Sequence, residues 1–467
     1  MAKTVIPSKN GSSSKTTNEE NPTTQSPARG PARPEVGLAL AGGAPGGAIY
    51  EIGALHALNE AIDGLELVDC GAYVGVSAGA FLASCLANGL STAKQCRAIV
   101  KHEPGEHPFV PENFFRPALK ELSHRVYKVP KLLWKGLGDY ASGREERLLA
   151  ALTVVGRALP VGVFANEPIA DYVQRIFSLE GRTDDFRELD RRLTVVATDL
   201  ESGESMRFGH GGRKHVPISK AVQASTALPG LYPPVQIDGR HYVDGILLKT
   251  MHASVALDAG AKLVFCINPL VPVDTRKAVQ TNEIKGGKVV RRGLVSVLSQ
   301  TVRTMIYSRM HLGLRAYEAL YPDADLILLE PRREDHEDFF SNLFSFSSRW
   351  RICEHAFDVT RQTLLSRKDE LIPILERHGL GLNVEFLEDK TLDVWTSVGL
   401  PELSSAGGAE PEAATRPGVM KWRREAGKER PDGRHPTEES PTHAELMDDL
   451  TSTLDRIERL VEQRAGA

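Results

Sequence analysis

Long apolar runs are scarce in this chain of 467 residues. The most membrane-like stretch, Leu148 to Ala165, is interrupted by Arg157 and Pro160, whereas a spanning helix needs roughly 20 predominantly apolar residues. No transmembrane segment is expected. The start, Met1 to Pro34, is rich in Ser, Thr, Asn, Pro and Lys and lacks the apolar core of a secretory signal, so it reads as a disordered arm. Surplus positive charge is also missing. Lys+Arg number 57 and Asp+Glu 61, a net charge of −4, and no basic field is left to hold nucleic acid by counterion release. Cysteine is sparse and scattered. Cys70, Cys85, Cys96, Cys266 and Cys353 form no Cys-x-x-Cys and no Cys/His cluster at ligand spacing. That argues against a disulfide framework or structural zinc site and suits a reducing, cytoplasmic compartment.

What is present is a repeated strand–turn–helix grammar. Val36 to Leu40 is a short apolar run followed by a glycine-rich turn and a helical pattern through Ile52, Leu55 and Leu58. The pattern returns at Ala72 to Val76, before the small-residue helix Ala80 to Asn88, and β-rich runs recur at Leu193 to Thr198 and Leu263 to Asn268. Such alternation predicts an α/β fold with a mostly parallel central sheet covered on both faces. Pro217 opens a short helix that Pro229 stops, and Asp238-Gly239 between two apolar runs predicts a hairpin. Asp325 to Leu329 predicts one more strand. The section Glu103 to Arg187, with its basic, aromatic part (Phe114, Phe115, Arg116, Trp134), reads as packing helices inserted between core strands, a lid being the alternative.

Three motifs carry chemistry. Gly75-Val76-Ser77-Ala78-Gly79 is a Gly-x-Ser-x-Gly between a strand and a helix, where small flanking residues permit a sharp turn that presents the serine hydroxyl. Ala41-Gly42-Gly43-Ala44-Pro45-Gly46-Gly47 precedes a helix, and its backbone N–H groups can face a developing oxyanion or a phosphate. A dinucleotide loop fits it less well. Gly-x-Gly-x-x-Gly is not matched from Gly42, Asp69 falls just before the second strand, and there is no P-loop lysine. In the third motif, Tyr242-Val243-Asp244-Gly245, a carboxylate at a strand end is a candidate base.

This order of glycine loop, Gly-x-Ser-x-Gly and Asp-Gly resembles the patatin-like phospholipase family, and the likeness runs from about Val36 to Asn268. It includes the stretch Ala221 to Val235 and the strand Val195-Val-Ala-Thr-Asp199. The resemblance implies a three-layer α/β/α sandwich and a Ser-Asp dyad without histidine. Ser77 would be nucleophile, Asp244 general base, the Gly42 and Gly43 N–H groups oxyanion donors, and Gly75, Gly79 and Gly245 the motif glycines. No metal or cofactor is implied. The implied substrate is a phospholipid or other acyl-ester lipid, met through peripheral contact with a membrane or lipid surface. A non-catalytic lipid- or protein-binding module on the same fold is the alternative.

Two positions depart from the family pattern. Pro45 or Gly46 stands where the family loop carries Arg or Lys, and Ile246 follows Asp-Gly where Gly or Ala is usual. A histidine-based triad would draw on His336 or His355, but no local motif singles out either. The aromatic cluster Phe339 to Phe346 reads as satellite core or as a lipid-dipping edge, and Arg276 to Arg292 as a basic solvated segment. The expected organisation is a disordered arm 1–34, a catalytic core 35–275, a mainly helical extension 276–400 packed on it, a linker 401–440 and an amphipathic helix 441–467. In that last helix Met447, Leu450, Leu454, Ile457 and Val461 form one apolar stripe, enough for docking or weak self-association.

Overall fold

The structure, a computed structural model, describes residues 33–101, 161–274, 276–280, 288–291, 293–333 and 349–400. All belong to one unit, Met1–Gly407. The expected arm before Arg33, the aromatic and helical stretch 102–160, His336, the Phe339–Phe346 cluster, the linker and the terminal helix lie outside the described residues.

The central sheet joins β1 (Arg33–Leu40), β3 (Cys70–Val76), β4 (Arg192–Asp199), β6 (Val235–Ile237), β7 (Arg240–Asp244), β8 (Leu263–Ile267) and β9 (Asp325–Leu329) in the order β6-β7-β4-β3-β1-β8-β9. Strands β4, β3, β1, β8 and β9 pair in parallel, while β7 and β6 continue the sheet antiparallel beside β4. A strand that the sequence pattern did not single out, β5 (Ser205–Gly209), also pairs antiparallel with β4. A small second sheet pairs β2 (Ile62–Asp63) with β10 (Gly381–Leu382).

Strand alternation builds a core on each face, since successive side chains point to opposite sides of a sheet. Leu38, Leu40, Tyr73, Phe265 and Ile267 face one way, under α1 (Ala44–Ala61), α2 (Ala78–Ala87), α3 (Glu167–Phe177), α4 (Ile218–Ser225) and α7 (Arg349–Ser366). Ala39, Ala72, Val74, Val264 and Cys266 face the other, under α5 (Ala253–Asp258) and α6 (Leu294–Leu320). The result is a three-layer α/β/α sandwich. Strand β9 comes from the expected helical extension and completes one edge of the sheet, and α7 packs along α1. No helix among the described residues is long and apolar enough to cross a membrane.

Candidate active site

Register brings the candidate residues together. Val76, the last residue of β3, pairs with Val196 of β4, and Ala197 pairs with Asp244 at the end of β7. Ser77 and Asp244 therefore lie at one level on either side of β4. Gly245 lets the chain cross there, because a Cβ would stand 2.4 Å from the Val196 carbonyl oxygen. The hairpin that carries Asp244 turns at Asp238 and Gly239, both with positive φ (51° and 77°). Two such residues in succession match the twist of the flanking strands.

Ser77 sits between β3 and α2 with φ 54° and ψ −124°, a conformation that costs a non-glycine residue on the order of 1–3 kcal/mol. The flanking glycines allow it. A Cβ on Gly75 would lie 2.4 Å from Ala80 Cα, and one on Gly79 would lie 2.5 Å from the Ala41 carbonyl oxygen. The Ser77 N–H donates to Ser225 Oγ (2.8 Å), whose own hydroxyl donates to the Val196 carbonyl (2.6 Å). Ser77 Oγ donates to Asp244 Oδ2 at 2.7 Å.

Asp244 is anchored on every side. Its N–H donates to the Ala227 carbonyl, its carbonyl accepts from Thr198 Oγ1, and its Oδ1 accepts from the Ile246 N–H (3.0 Å). Burial pushes its carboxyl up to about 7, and the Ile246 N–H and Ser77 hydroxyl oppose that rise only in part. A carboxylate tuned to that range takes and returns protons near neutrality.

The glycine loop lies directly beside the pair. A Cβ on Gly42 would stand 2.9 Å from Ser77 Cβ and 3.0 Å from Ile246 Cδ1, so only glycine lets these groups meet. Gly43 is the N-cap of α1, and Pro45 falls in the helix's first turn, where a missing N–H costs no intrahelical bond. Pro45 thus suits the helix start. The Gly42 N–H donates to the Thr250 carbonyl at 3.3 Å. In this conformation the Thr250 carbonyl occupies the Gly42 N–H.

Among the described residues, no histidine ring nitrogen bonds to Ser77 or Asp244, and His355 lies on α7. His252 is buried, and burial, with Lys249 and Arg207 adding to it, lowers its pKa to about 3. Ser225 and Thr250 had not been singled out as site residues. Ser225 falls inside the Ala221 to Val235 stretch that carried part of the resemblance, whereas nothing local marks Thr250.

Fold and site together define an α/β/α protein with a serine–aspartate pair and a glycine loop at the carboxyl ends of its parallel strands. Residues 38–257, a little under half of the chain, match the family model described as Patatin-like phospholipase. Uncharacterized NTE family proteins of Mycobacterium bovis and Mycobacterium tuberculosis are each 31% identical over 107 residues, 23% of this chain. The match spans 27% of the length of those relatives. Among solved structures, VipD from Legionella pneumophila overlaps with a TM-score of 0.29 at 12% identity, covering 74% of this chain and 80% of that one. The type III effector ExoU overlaps with a TM-score of 0.27 at 14% identity, covering 74% and 60%. Overlap that slight bears on neither fold nor function.

Proposed function

We propose that this protein is a serine lipid acyl hydrolase, a phospholipase A or related acyl-ester hydrolase, that works through a Ser77–Asp244 dyad. The observation that carries the reading is the 2.7 Å hydrogen bond from Ser77 Oγ to the buried Asp244 carboxylate, made at a strained strand-to-helix turn. Ser77 Oγ attacks the ester carbonyl carbon as its proton passes to Asp244 Oδ2. The tetrahedral oxyanion is held by the N–H groups of Gly42 and Gly43, after Gly42 lets go of Thr250. Collapse expels the alcohol, which leaves with the proton from Asp244. Water then gives a proton to Asp244 and attacks the acyl-serine, and a second collapse frees the fatty acid and returns the proton to Ser77. In this reading residues 35–275 form the catalytic core, 276–400 pack on it, and the protein meets lipid as a peripheral, cytoplasmic visitor to a membrane or droplet surface. The segment 441–467 serves docking or weak self-association.

The Gly42–Thr250 contact favours a second reading, a non-catalytic lipid- or protein-binding module on the same fold. Fluorophosphonate labelling separates the two. The hydrolase reading expects Ser77 to be labelled in the folded protein, and expects fatty acid release from a panel of phospholipids, lysophospholipids, triacylglycerol and p-nitrophenyl esters that Ser77→Ala abolishes. A folded protein that neither labels nor hydrolyses any of the panel belongs to the second reading.

A further inference from the structure

Ile246 is the residue by which the chain departs from the family pattern after Asp-Gly, and it has a second neighbour besides the site. It forms one end of a small cleft, about 50 Å³, between residues 246–251 and helix α6. The walls are Ile246, Met251, Ile306, Met310, Leu314 and Tyr317, which are aliphatic, thioether and aromatic groups. Charge appears only at the rim, where the exposed Lys249 and Arg309 stand. The Lys249 ammonium lies 5.9 Å over the Tyr317 ring, and the Arg309 guanidinium donates to the Leu247 carbonyl at 3.4 Å. Helix α6 lies outside residues 38–257, so the far wall is not built from the segment that matches the family.

We infer that this cleft binds the alkyl chain of the acyl ester and that Gly313 sets how long a chain it takes. The inference rests on the reading of Ser77 as nucleophile. Continuity supports it, because the Ile246 side chain approaches the Gly42 Cα that also abuts Ser77 Cβ. Ile246 thus stands between Ser77 and the cleft, and a chain reaching the cleft from an ester carbonyl at Ser77 would have to pass its side chain. Chemistry supports it as well. Burying alkyl groups against such walls is favourable in proportion to the area removed from water, and methionine sulfurs adapt to a flexible occupant. Gly313 is the third support. It sits in the interior of a 27-residue helix, where glycine lowers helix stability relative to alanine. Beyond its chain neighbours and its own helix backbone, no atom of the described residues lies within 4 Å of the position its Cβ would take. Close packing therefore does not demand glycine there, and what the missing side chain provides is open volume in the cleft.

Enlarging Gly313 tests this without a steric conflict at the helix backbone. For the full chain and for Gly313→Trp and Gly313→Ala, the measurement is kcat/KM on p-nitrophenyl acetate through dodecanoate. Burial of one methylene is worth about fourfold in affinity. Excluding even two methylenes therefore lowers the dodecanoate-to-acetate ratio about fifteenfold in Gly313→Trp, with a smaller fall in Gly313→Ala. An unchanged ratio in Gly313→Trp overturns the assignment. A second measurement needs no turnover: fluorescence titration of wild type and Gly313→Trp with cis-parinaric acid. Saturable binding that the tryptophan weakens supports the cleft, while equal binding by both proteins, or none by either, overturns it. If wild type hydrolyses no ester yet binds the fatty acid in a Gly313-dependent way, the hydrolase reading fails and the alkyl site stands.

Discussion

Two carboxyl groups are buried near the carboxyl ends of the central strands, and their surroundings are opposite. Asp244 sits at the end of β7 with Ser77 Oγ on one oxygen and the Ile246 N–H on the other. Glu51 lies two turns into α1, wholly buried, and neither of its oxygens has a hydrogen-bond partner among the described residues. Burial raises both groups, and for Glu51 only a weak interaction with the Ala41 backbone opposes it. The contrast teaches that burial alone does not make a carboxyl useful for proton transfer. Asp244 has the Ser77 hydroxyl on one oxygen and the Ile246 N–H on the other. Glu51 is buried with only the Ala41 backbone to offset the cost, which is relieved by keeping a proton.

The sharpest way to break this comparison is to neutralise each group in turn. Asp244→Asn keeps shape but cannot take the Ser77 proton, and a lost general base costs about 10²–10⁴-fold in kcat/KM on an ester substrate. The wild-type rate should rise with pH through about 7, as the Asp244 carboxyl ionises, and that limb should be missing from Asp244→Asn. Stability moves the other way. An unfolded aspartate ionises near pH 3.9, so between there and about 7 the folded state holds a proton that the unfolded chain has released. Folding free energy, measured by urea titration, should therefore fall with pH across that window in wild type and more gently in Asp244→Asn. Loss of activity in Glu51→Gln with full activity in Asp244→Asn would reverse the assignment.

Glu51→Gln has a smaller expected effect, on stability. The folded-state pKa of Glu51 lies well above the ordinary glutamate value, so its contribution is fully present at low pH and drains away as pH rises toward the folded value. The slope is about 1.4 kcal/mol per pH unit. Urea unfolding of wild type and Glu51→Gln from pH 5 upward should show a gap that shifts in favour of the variant at that rate, with kcat little changed. Parallel pH profiles would mean that Glu51 has a partner and that the contrast with Asp244 is false.

Much of the fold was legible because it depends on local pattern. Short apolar runs marked β1, β3, β4, β8 and β9, and Asp238-Gly239 marked the hairpin, since positive φ at consecutive residues has few sequence solutions. Strand β5 was not legible: Ser205-Met-Arg-Phe-Gly209 is short and only partly apolar, and its pairing with β4 decides its state. In the site, Ser77 and Asp244 each carried a local motif, but they lie 167 residues apart. Their meeting depends on the β3–β4–β7 register, which the family resemblance implied and spacing alone did not. The Thr250 carbonyl on Gly42, the buried Glu51 and the open side of Gly313 are products of tertiary packing. No residue type announces them.

Ser225 gives the smallest and most discriminating test, because it supports the serine side of the pair without touching Asp244. Its hydroxyl accepts from the Ser77 N–H and donates to the Val196 carbonyl, tying the strained turn to β4. In Ser225→Ala two buried backbone groups lose their partner, a cost of about 1–3 kcal/mol in unfolding free energy. Chemistry should suffer by a separate route. With its N–H released, Ser77 is no longer fixed at φ 54°, and its hydroxyl spends less time aimed at Asp244 Oδ2. The expected result is a fall in kcat of about tenfold, the equivalent of about 1.4 kcal/mol, with KM nearly unchanged and the pH limb near 7 retained because Asp244 keeps its surroundings. A stability loss with unaltered kcat would show that the turn holds its geometry without Ser225, and that the glycines around Ser77 and the packing of α2 suffice to present the serine.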